Sequence, residues 1–213
     1  MTETSRIALV DDDDGVLDAL SALMRKRGFE PFAFASAKAL VTALEKGDVF
    51  DCIVTDIRMP SVSGNNLHQL LKERGSLTPV IFITGHGDID LAVASIKSGV
   101  SDFIEKPINS ERLISSIREA IERARATRHE EHWAATLRQR YGALSDRQRE
   151  VMLLAASGRS NKEIAAILNL SARTVEHYRE WVMGKMQAQN LADLVQMAML
   201  LKLLSPQVKP TPN

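Results

Sequence analysis

Short apolar runs that alternate with amphipathic stretches are the feature that most constrains the fold of the first half of this chain. Three runs are almost wholly apolar and β-branched, as is typical of strands buried on both faces of a parallel sheet: 7–10, 52–55 and 80–84. Two weaker strands are predicted at 32–35 and 100–104. Between the runs, apolar residues recur at helical spacing over 16–24, 36–46, 64–74, 88–98 and 109–124.

The ends of these helical stretches support the assignment. Four of them are followed by a glycine, which tolerates the left-handed conformation that closes a helix: Gly28, Gly47, Gly75 and Gly99. Five strands alternating with five helices predict an α/β fold with a doubly wound parallel sheet. We therefore expect a flavodoxin-like (βα)5 domain over residues 1–124, with the strand order 2-1-3-4-5.

The remainder of the chain shows only helical patterns. Residues 125–142 are highly charged and contain no proline. They either continue the preceding helix, which would then reach about 45 Å from Ser110 to Arg140, or form a partly helical, solvated linker. Four helical patterns follow, and they predict a small all-α domain over 143–204, whereas the proline-rich segment 205–213 is expected to be disordered.

Composition narrows the class of protein. Of 213 residues, 45% are apolar and 25% charged, which is typical of globular proteins. The 27 basic and 27 acidic residues cancel, but residues 1–124 carry 14 basic and 19 acidic side chains and the remainder carries 13 and 8. The basic second half can therefore meet nucleic acid. Since no apolar run could cross a bilayer and no secretory signal is recognisable, we expect a cytoplasmic protein without membrane attachment.

Acidic residues follow two of the predicted strands. Asp11 to Asp14 come after the first strand and Asp56 after the third, and in the expected strand order both strand ends meet at the switch point where ligands bind. Clustered carboxylates repel one another unless a cation joins them, and oxygen ligands favour Mg²⁺, with Mn²⁺ as an alternative. Asp13 and Asp14 can instead cap the following helix.

Two other strand ends add polar groups to this edge of the sheet. Thr84 ends the fourth strand and offers a hydroxyl, and Lys106 follows the fifth strand and offers a mobile cation. A carboxylate beside a metal ion, a hydroxyl and an ammonium group can accept a phosphoryl group, with Asp56 as the nucleophile.

The histidines are harder to interpret from sequence. His86 lies in a glycine-flanked loop beside Thr84, where it either contacts the acidic site or lies on the surface. His68, on the third predicted helix, is expected to be exposed. No set of cysteines and histidines has metal-ligand spacing.

Four motifs, in their order and spacing, resemble the bacterial response-regulator receiver domain. They are VDDD at 10–13, DIRMPSVSG at 56–64, ITGHGD at 83–88 and DFIEKP at 102–107. The resemblance implies that Asp56 is the phosphorylated aspartate. It also implies a metal site formed by Asp11, Asp12, Asp56 and the backbone carbonyl of Arg58.

The same resemblance assigns the residues that respond to phosphorylation. Thr84 and Lys106 match its switch residues, and Phe103 lies at the position of its rotating aromatic side chain. From the apolar pattern alone, Phe103 would be an ordinary core residue. The resemblance also implies a cis peptide bond between Lys106 and Pro107.

In the second half, two predicted helices flank a tight turn. The first covers 161–168, and Ser171 is a suitable N-cap for the second. Along the second helix, a buried stripe is predicted at Val175, Tyr178, Val182 and Met186. The opposite face then carries Arg173, Glu176, His177 and Glu180, and such a helix suits the major groove of DNA. An ordinary interaction bundle could have the same pattern.

Three segments in this half resemble the LuxR-type output domain: LSDRQREV at 144–151, SNKEIAAIL at 160–168 and SARTVEHYREWVMGKM at 171–186. By position, the resemblance implies phosphate contacts from Lys162, Arg173, Thr174 and Arg179. Glu176, His177 and Glu180 would face the bases, where carboxylates either accept from cytosine amino groups or repel phosphate. Tyr178 replaces a common histidine, and Trp181 adds bulk. The last helix either contributes a dimer contact or packs within the domain, through Leu194, Met197, Met199 and Leu201.

Together, the two halves resemble response regulators of the NarL/FixJ family, most closely the FixJ branch. A sensor histidine kinase is then expected to phosphorylate Asp56 and to reshape the face formed by 88–98, the fifth strand and 109–124. The expected result is a homodimer that binds paired half-sites of double-stranded DNA. RNA polymerase is a further expected partner, with transcriptional activation as the usual outcome in this family.

Two other functions are open at this point. Magnesium-dependent phosphatases that act through an aspartyl-phosphate usually have a second aspartate two residues after the nucleophile, where this chain has Arg58. We therefore expect no enzyme beyond assistance of its own phosphorylation and dephosphorylation. A protein-interaction adaptor would have no DNA affinity at any salt concentration.

Overall fold

The computed structural model describes residues 4–59, 63–85 and 99–204. The chain forms two compact units, Met1–Arg128 and His129–Asn213. The predicted helix at 88–98, the loop residue His86 and the segment 205–213 lie outside the described residues. Within the described ranges, no helix is both long and apolar enough to span a lipid bilayer.

The first unit contains a parallel sheet of five strands in the order β2-β1-β3-β4-β5, which confirms the predicted flavodoxin-like topology. The strands are β1 Arg6–Val10, β2 Glu30–Phe34, β3 Cys52–Asp56, β4 Val80–Thr84 and β5 Asp102–Glu105. Strand order reverses between β1 and β3, so the carboxyl ends of these two strands lie on either side of the switch point.

The two outer strands have other limits than predicted. β2 begins at Glu30, because its backbone pairs with Arg6 of β1, and it ends at Phe34. β5 begins at Asp102, which pairs with Ile81, although the apolar pattern begins at Val100. Hydrogen bonding to the neighbouring strand sets the first and last residues of each strand. The predicted bounds differ because an apolar run in the sequence indicates burial only.

Helices cover both faces of the sheet. They are α1 Asp14–Lys26, α2 Ala37–Glu45, α3 Gly64–Glu73 and α4 Ser110–Gly142. The N-caps Asp13, Ser36 and Ser63 accept hydrogen bonds from backbone N–H groups of the first turns. As predicted, Gly28, Gly47 and Gly75 follow helices with positive φ angles.

Neighbouring residues of each strand point to opposite faces of the sheet, and each face has its own core. On one face, Leu9 and Val54 pack with α1 and the first part of α4. On the other face, Ala8 and Ile53 pack with α2 and α3. Burial of both faces explains why these strands are nearly all apolar.

The second unit is helical, as predicted. It contains α5 Asp146–Ala156, α6 Asn161–Leu168, α7 Ala172–Met186 and α8 Leu191–Leu200. Its core includes Val182, Met186 and Leu194, together with Leu137 from the end of α4. Of the two alternatives for 125–142, the structure has the continuous helix, since α4 runs unbroken from Ser110 to Gly142.

Candidate acidic site and nucleic-acid interface

Three charged side chains meet at the carboxyl edge of the sheet. Lys106, which directly follows β5, places its Nζ 2.5 Å from Oδ2 of Asp56 and 3.6 Å from Oδ2 of Asp11. Asp56 ends β3 and Asp11 follows β1, so the switch point brings together residues from three strands. The sequence-based prediction that these strand ends form one site agrees with this geometry.

The Asp56 carboxylate is held by two donors. Its Oδ1 accepts a hydrogen bond from the backbone N–H of Arg58 at 2.8 Å, and its Oδ2 accepts from Lys106. Only 8% of Asp56 is exposed, whereas Arg58 is an exposed residue. The carboxylate is therefore fixed in orientation and largely buried at the carboxyl edge of the sheet.

Asp11 is more deeply buried and only partly satisfied. Oδ1 accepts from the backbone N–H of Asp13 at 2.9 Å, but the buried Oδ2 has no hydrogen-bond partner. Burial raises the pKa of Asp11, against the opposing effects of the Asp13 hydrogen bond and the Lys106 charge. An unsatisfied buried carboxylate oxygen is the kind of group that a cation would complete.

Lys106 is the positive counterpart of the two carboxylates. Partial burial lowers its pKa, but the hydrogen bond and charge of Asp56, with the charge of Asp11, outweigh burial, so the pKa lies above its ordinary value. The ammonium group therefore stays charged at neutral pH.

A divalent cation fits the oxygen donors of this edge. The buried, unsatisfied Oδ2 of Asp11, the carboxylate of Asp56 and the backbone carbonyl of Arg58 are hard ligands of the type that Mg²⁺ prefers. Asp12 is exposed, because the chain turns at this point into α1, whose N-cap is Asp13. Among the described residues, no group of three or more His, Cys, Asp or Glu side chains is arranged to hold a metal ion.

The predicted switch residues lie at the same edge. Thr84 is buried, and its hydroxyl donates to the carbonyl of Gly85 at 3.2 Å. Its own carbonyl accepts from the backbone N–H of Lys106 at 2.8 Å. Phe103 is half-buried against the core on the α2–α3 face. The peptide bond between Lys106 and Pro107 is cis, as the family resemblance implies.

The sequence predicts an exposed His68, and this prediction is wrong. The side chain is half-buried, and its ring lies edge-on to Phe82 with 6.2 Å between centroids. The residue borders the buried stripe of α3 formed by Leu67 and Leu71, which brings it towards β4. Because α3 is short and has few apolar residues, its sequence does not show where the buried stripe ends and the exposed face begins.

In the second unit, α6 and α7 form the predicted helical pair around a tight turn. α6 begins with a capping box between Ser160 and Glu163, and its C-cap Asn169 has a φ of 54°. Ser171 caps α7 by accepting from the backbone N–H of Thr174 at 3.0 Å. Val175, Val182 and Met186 are fully buried along α7 and Tyr178 is half-buried, which confirms the predicted stripe.

The opposite face of α7 is open to solvent. Arg173, Glu176, His177 and Glu180 are exposed there, and Lys162 is accessible near the start of α6. His177 Nδ1 lies 3.6 Å from Oε2 of Glu180. The face carries hydrogen-bond donors and acceptors at helical spacing, as reading of base edges in a major groove requires.

Two of the predicted phosphate contacts are already engaged within the unit. Arg179 is half-buried, and its Nη1 donates to Oδ1 of Asn161 at 2.8 Å. The Thr174 hydroxyl lies 2.8 Å from the hydroxyl of Ser171. The first contact joins α7 to α6, and the second lies within the N-cap of α7, whereas Arg173 and Lys162 are exposed.

Two residues that matter for these sites were not identified from sequence. Gly64 begins α3, and a Cβ at this position would lie 2.6 Å from the backbone oxygen of Asp56. Asn161 orients Arg179 across the helical pair. A signal existed for Gly64, since it ends the motif that begins at Asp56, but none is visible for Asn161.

Both units match known families. Residues 7–118 match the profile of the response regulator receiver domain, and residues 142–198 match that of bacterial regulatory proteins of the luxR family. The matches cover the acidic edge and the helical pair, respectively.

Relatives match over almost the whole chain. The transcriptional regulatory protein FixJ of Bradyrhizobium diazoefficiens is 41% identical over 93% of this chain and 97% of its own length. The response regulator protein TodT of Pseudomonas putida is 38% identical over 93% and 87%. The crystal structure of full-length FixJ from B. japonicum has a TM-score of 0.61 at 40% identity, covering 96% of this chain and all of that one. The structure of the response regulator StyR has a TM-score of 0.78 at 32% identity, covering 92% and 99%.

Proposed function

The chain belongs to the response regulators that join a receiver domain to a LuxR-type DNA-binding domain, and from this we propose that phosphorylation of Asp56 controls its binding to DNA. As a member it is a two-component transcription regulator. We assign residues 1–124 to the receiver, 125–142 to a helical linker and 143–204 to the DNA-binding domain.

The observation that carries the proposal is the contact between Asp56 Oδ2 and Lys106 Nζ at 2.5 Å beside the unsatisfied oxygen of Asp11. A carboxylate oxygen of Asp56 attacks phosphorus, the O–P bond forms, and the N–P bond of the phosphohistidine of a sensor kinase breaks, leaving the imidazole on the kinase. Asp56 is suited to this role because two donors fix the orientation of its carboxylate.

Charge on the transferring oxygens needs compensation. Asp11, Asp12, Asp56 and the carbonyl of Arg58 would hold Mg²⁺ or Mn²⁺, which would neutralise part of that charge. Lys106 supplies a positive charge from the chain itself. During transfer, its ammonium group leaves the carboxylate oxygen of Asp56 and binds a phosphoryl oxygen instead.

Phosphorylation then replaces the single negative charge of the Asp56 carboxylate with a phosphoryl group that carries about 1.5 to 2 negative charges and three acceptor oxygens. In the structure, the Thr84 hydroxyl donates to the carbonyl of Gly85. The phosphoryl group offers this hydroxyl a stronger acceptor, and the Lys106 ammonium moves with the phosphoryl group. Movement of Thr84 opens space for the half-buried Phe103 at the neighbouring strand. This change alters the receiver surface and favours a homodimer.

The DNA-binding domain reads DNA through α7. Its exposed face, with Glu176, His177 and Glu180, enters the major groove, while Arg173 and Lys162 contact phosphates. A two-fold dimer binds paired half-sites whose spacing follows from its symmetry. RNA polymerase is the partner through which such a protein activates transcription.

The proposal is tested by measuring DNA binding and oligomeric state with and without acetyl phosphate or beryllofluoride in Mg²⁺. Wild type is compared with Asp56→Asn and with Asp18→Asn, which removes an exposed carboxylate of α1. We expect both treatments to increase dimer formation and DNA affinity in wild type and in Asp18→Asn, but not in Asp56→Asn. Identical behaviour of all three proteins in every condition would refute the switch.

A further inference from the structure

Trp181 is an exposed aromatic residue on the polar side of α7. Its side chain is 55% exposed, whereas Val182, the next residue, is 1% exposed. The chain has two tryptophans, and the other, Trp133, is half-buried against the core of the second unit. Leaving an indole of this size in water forgoes a large hydrophobic gain, which a ligand could recover.

Helical geometry places Trp181 beside the base-facing residues. Successive residues are 100° apart in an α-helix, so Trp181 lies about 40° around the axis from His177 and well away from Val182. It is four residues beyond His177, or about 6 Å further along the helix axis.

The indole is held in place before any ligand binds. Its ring lies edge-on to that of Tyr178, with 5.5 Å between centroids and an interplanar angle of 85°. Tyr178 is itself packed against the core formed by Val175 and Ile164. Since an anchored aromatic side chain loses little conformational freedom on binding, contact through Trp181 carries a small entropic cost.

The neighbouring charges indicate which part of DNA the indole meets. Glu180 directly precedes Trp181, and Glu176 lies about one helical turn before Glu180; both carboxylates are exposed on the polar face of α7, which Trp181 borders. Carboxylates are unfavourable beside phosphates, so this part of the helix fits over base edges better than along the backbone. Of the groups on base edges in the major groove, the apolar one is the 5-methyl group of thymine.

We propose that Trp181 is a specificity-determining residue that packs on the 5-methyl group of a thymine in the DNA site of this protein. The inference rests on the proposed function, because it requires α7 to enter the major groove. It adds an apolar contact to the polar contacts of Glu176, His177 and Glu180.

The first test uses DNA sites selected from a random duplex pool by the full-length protein in beryllofluoride and Mg²⁺. Each thymine of the selected site is replaced in turn by uracil, which removes the methyl group alone. We expect one replacement per half-site to weaken wild-type binding about fourfold, and to leave Trp181→Ala unaffected. Trp181→Ala itself should bind the thymine site about tenfold more weakly.

The outcomes separate the two proposals. Selection of no site by wild type would refute the proposed function and this inference with it. Tight binding that is insensitive to every uracil replacement would overturn the inference alone, as would an equal loss in Trp181→Ala. A uniform loss of affinity in Trp181→Ala for all sequences, without a lost thymine preference, would mean a backbone contact and would also overturn it.

Fluorescence provides a second measurement that needs no affinity change. Trp133→Phe leaves Trp181 as the single tryptophan, and the matched control Trp181→Phe leaves Trp133. Addition of the selected duplex should protect the first variant from acrylamide quenching at least twofold and leave the second unchanged. Full accessibility of Trp181 in the DNA complex would contradict the proposal.

Discussion

Lys106 and Asp56 are 50 residues apart in sequence, yet the Lys106 ammonium lies 2.5 Å from the Asp56 carboxylate. The contact joins the end of β3 to the residue after β5 across the intervening end of β4. It makes one lysine the counter-ion of both buried carboxylates, since Asp11 is 3.6 Å away.

Lys106→Met should tighten the binding of Mg²⁺ about tenfold, equivalent to about 1.4 kcal/mol. The metal no longer competes with an ammonium group for the oxygens of Asp56 and Asp11. Isothermal titration calorimetry measures the affinity, and Lys38→Met, which removes an exposed lysine of α2, should match wild type. Weaker Mg²⁺ binding in Lys106→Met would contradict the arrangement. Despite tighter metal binding, the DNA response to beryllofluoride should fall.

Gly64→Ala should reduce the free energy of unfolding by about 1 to 3 kcal/mol, because the new Cβ would lie 2.6 Å from the Asp56 backbone oxygen. That oxygen belongs to β3, which is paired on both sides. A backbone shift that relieves the clash therefore displaces the phospho-acceptor. Urea denaturation and the rate of phosphorylation by acetyl phosphate should both decline.

Gly184→Ala is the control of opposite sign. Apart from the adjoining residues and the backbone of α7 itself, no heavy atom of the described residues lies within 4 Å of a Cβ added at Gly184. Removing a glycine from a helix interior should stabilise the free protein by about 0.5 to 1 kcal/mol. Equal effects of the two substitutions would show that the close approach at Gly64 is not significant.

Arg173→Ala should affect DNA binding alone, whereas Arg179→Ala should affect both DNA binding and stability. Arg173 is exposed, so its loss should weaken binding to all DNA sequences, reduce the salt slope by about 1 and leave stability unchanged. Arg179 donates to Asn161, so Arg179→Ala should also reduce the free energy of unfolding by about 1 kcal/mol.

A double-mutant cycle with Asn161→Ala tests this difference. If Arg179 acts through Asn161, the stability losses of the two single variants will not add in the double variant. Additive losses would remove the positioning role from Arg179 and leave only a phosphate contact. Fluorescence anisotropy at several salt concentrations provides the affinities.

The capping box of α6 predicts a pH dependence of stability. Hydrogen bonds from the backbone N–H and hydroxyl of Ser160, together with Arg159, hold the pKa of Glu163 below its ordinary value. The Glu163 carboxyl therefore binds a proton more readily in the unfolded chain than in the folded one. Its contribution to the free energy of unfolding is complete above the pKa of unfolded glutamate. It is lost as pH falls through the lower, folded value.

Glu163→Gln should therefore show a shallower loss of stability between neutral and acid pH than wild type, as measured by urea denaturation across the acid range. Ser160→Ala should cost about 1 kcal/mol at neutral pH. Ser157→Ala, which removes an exposed hydroxyl that donates to carbonyls of α5, should have little effect. Equal acid slopes for wild type and Glu163→Gln would show that the carboxylate does not stabilise the cap.

Much of the candidate site was predictable because its residues lie at the ends of strands. Asp11, Asp56, Thr84 and Lys106 follow apolar runs, and parallel strands bring their carboxyl ends to one edge. The exposure of Asp12 was not predictable, because a run of four aspartates has no internal pattern to show which one turns inwards. The half-buried state of His68 likewise depends on the rotation of α3 against β4.

The sequence by itself determined the periodic elements, the division into an acidic and a basic half, and the family, because each of these depends on neighbouring residues or on motifs of a few positions. Only the tertiary structure decided which side chains meet. The Lys106–Asp56 contact, the engagement of Arg179 by Asn161 and the exposure of Trp181 beside a buried stripe all depend on packing between elements. Distances between residues far apart in sequence follow from that packing, since local periodicity specifies the face of an element and not the partner it meets.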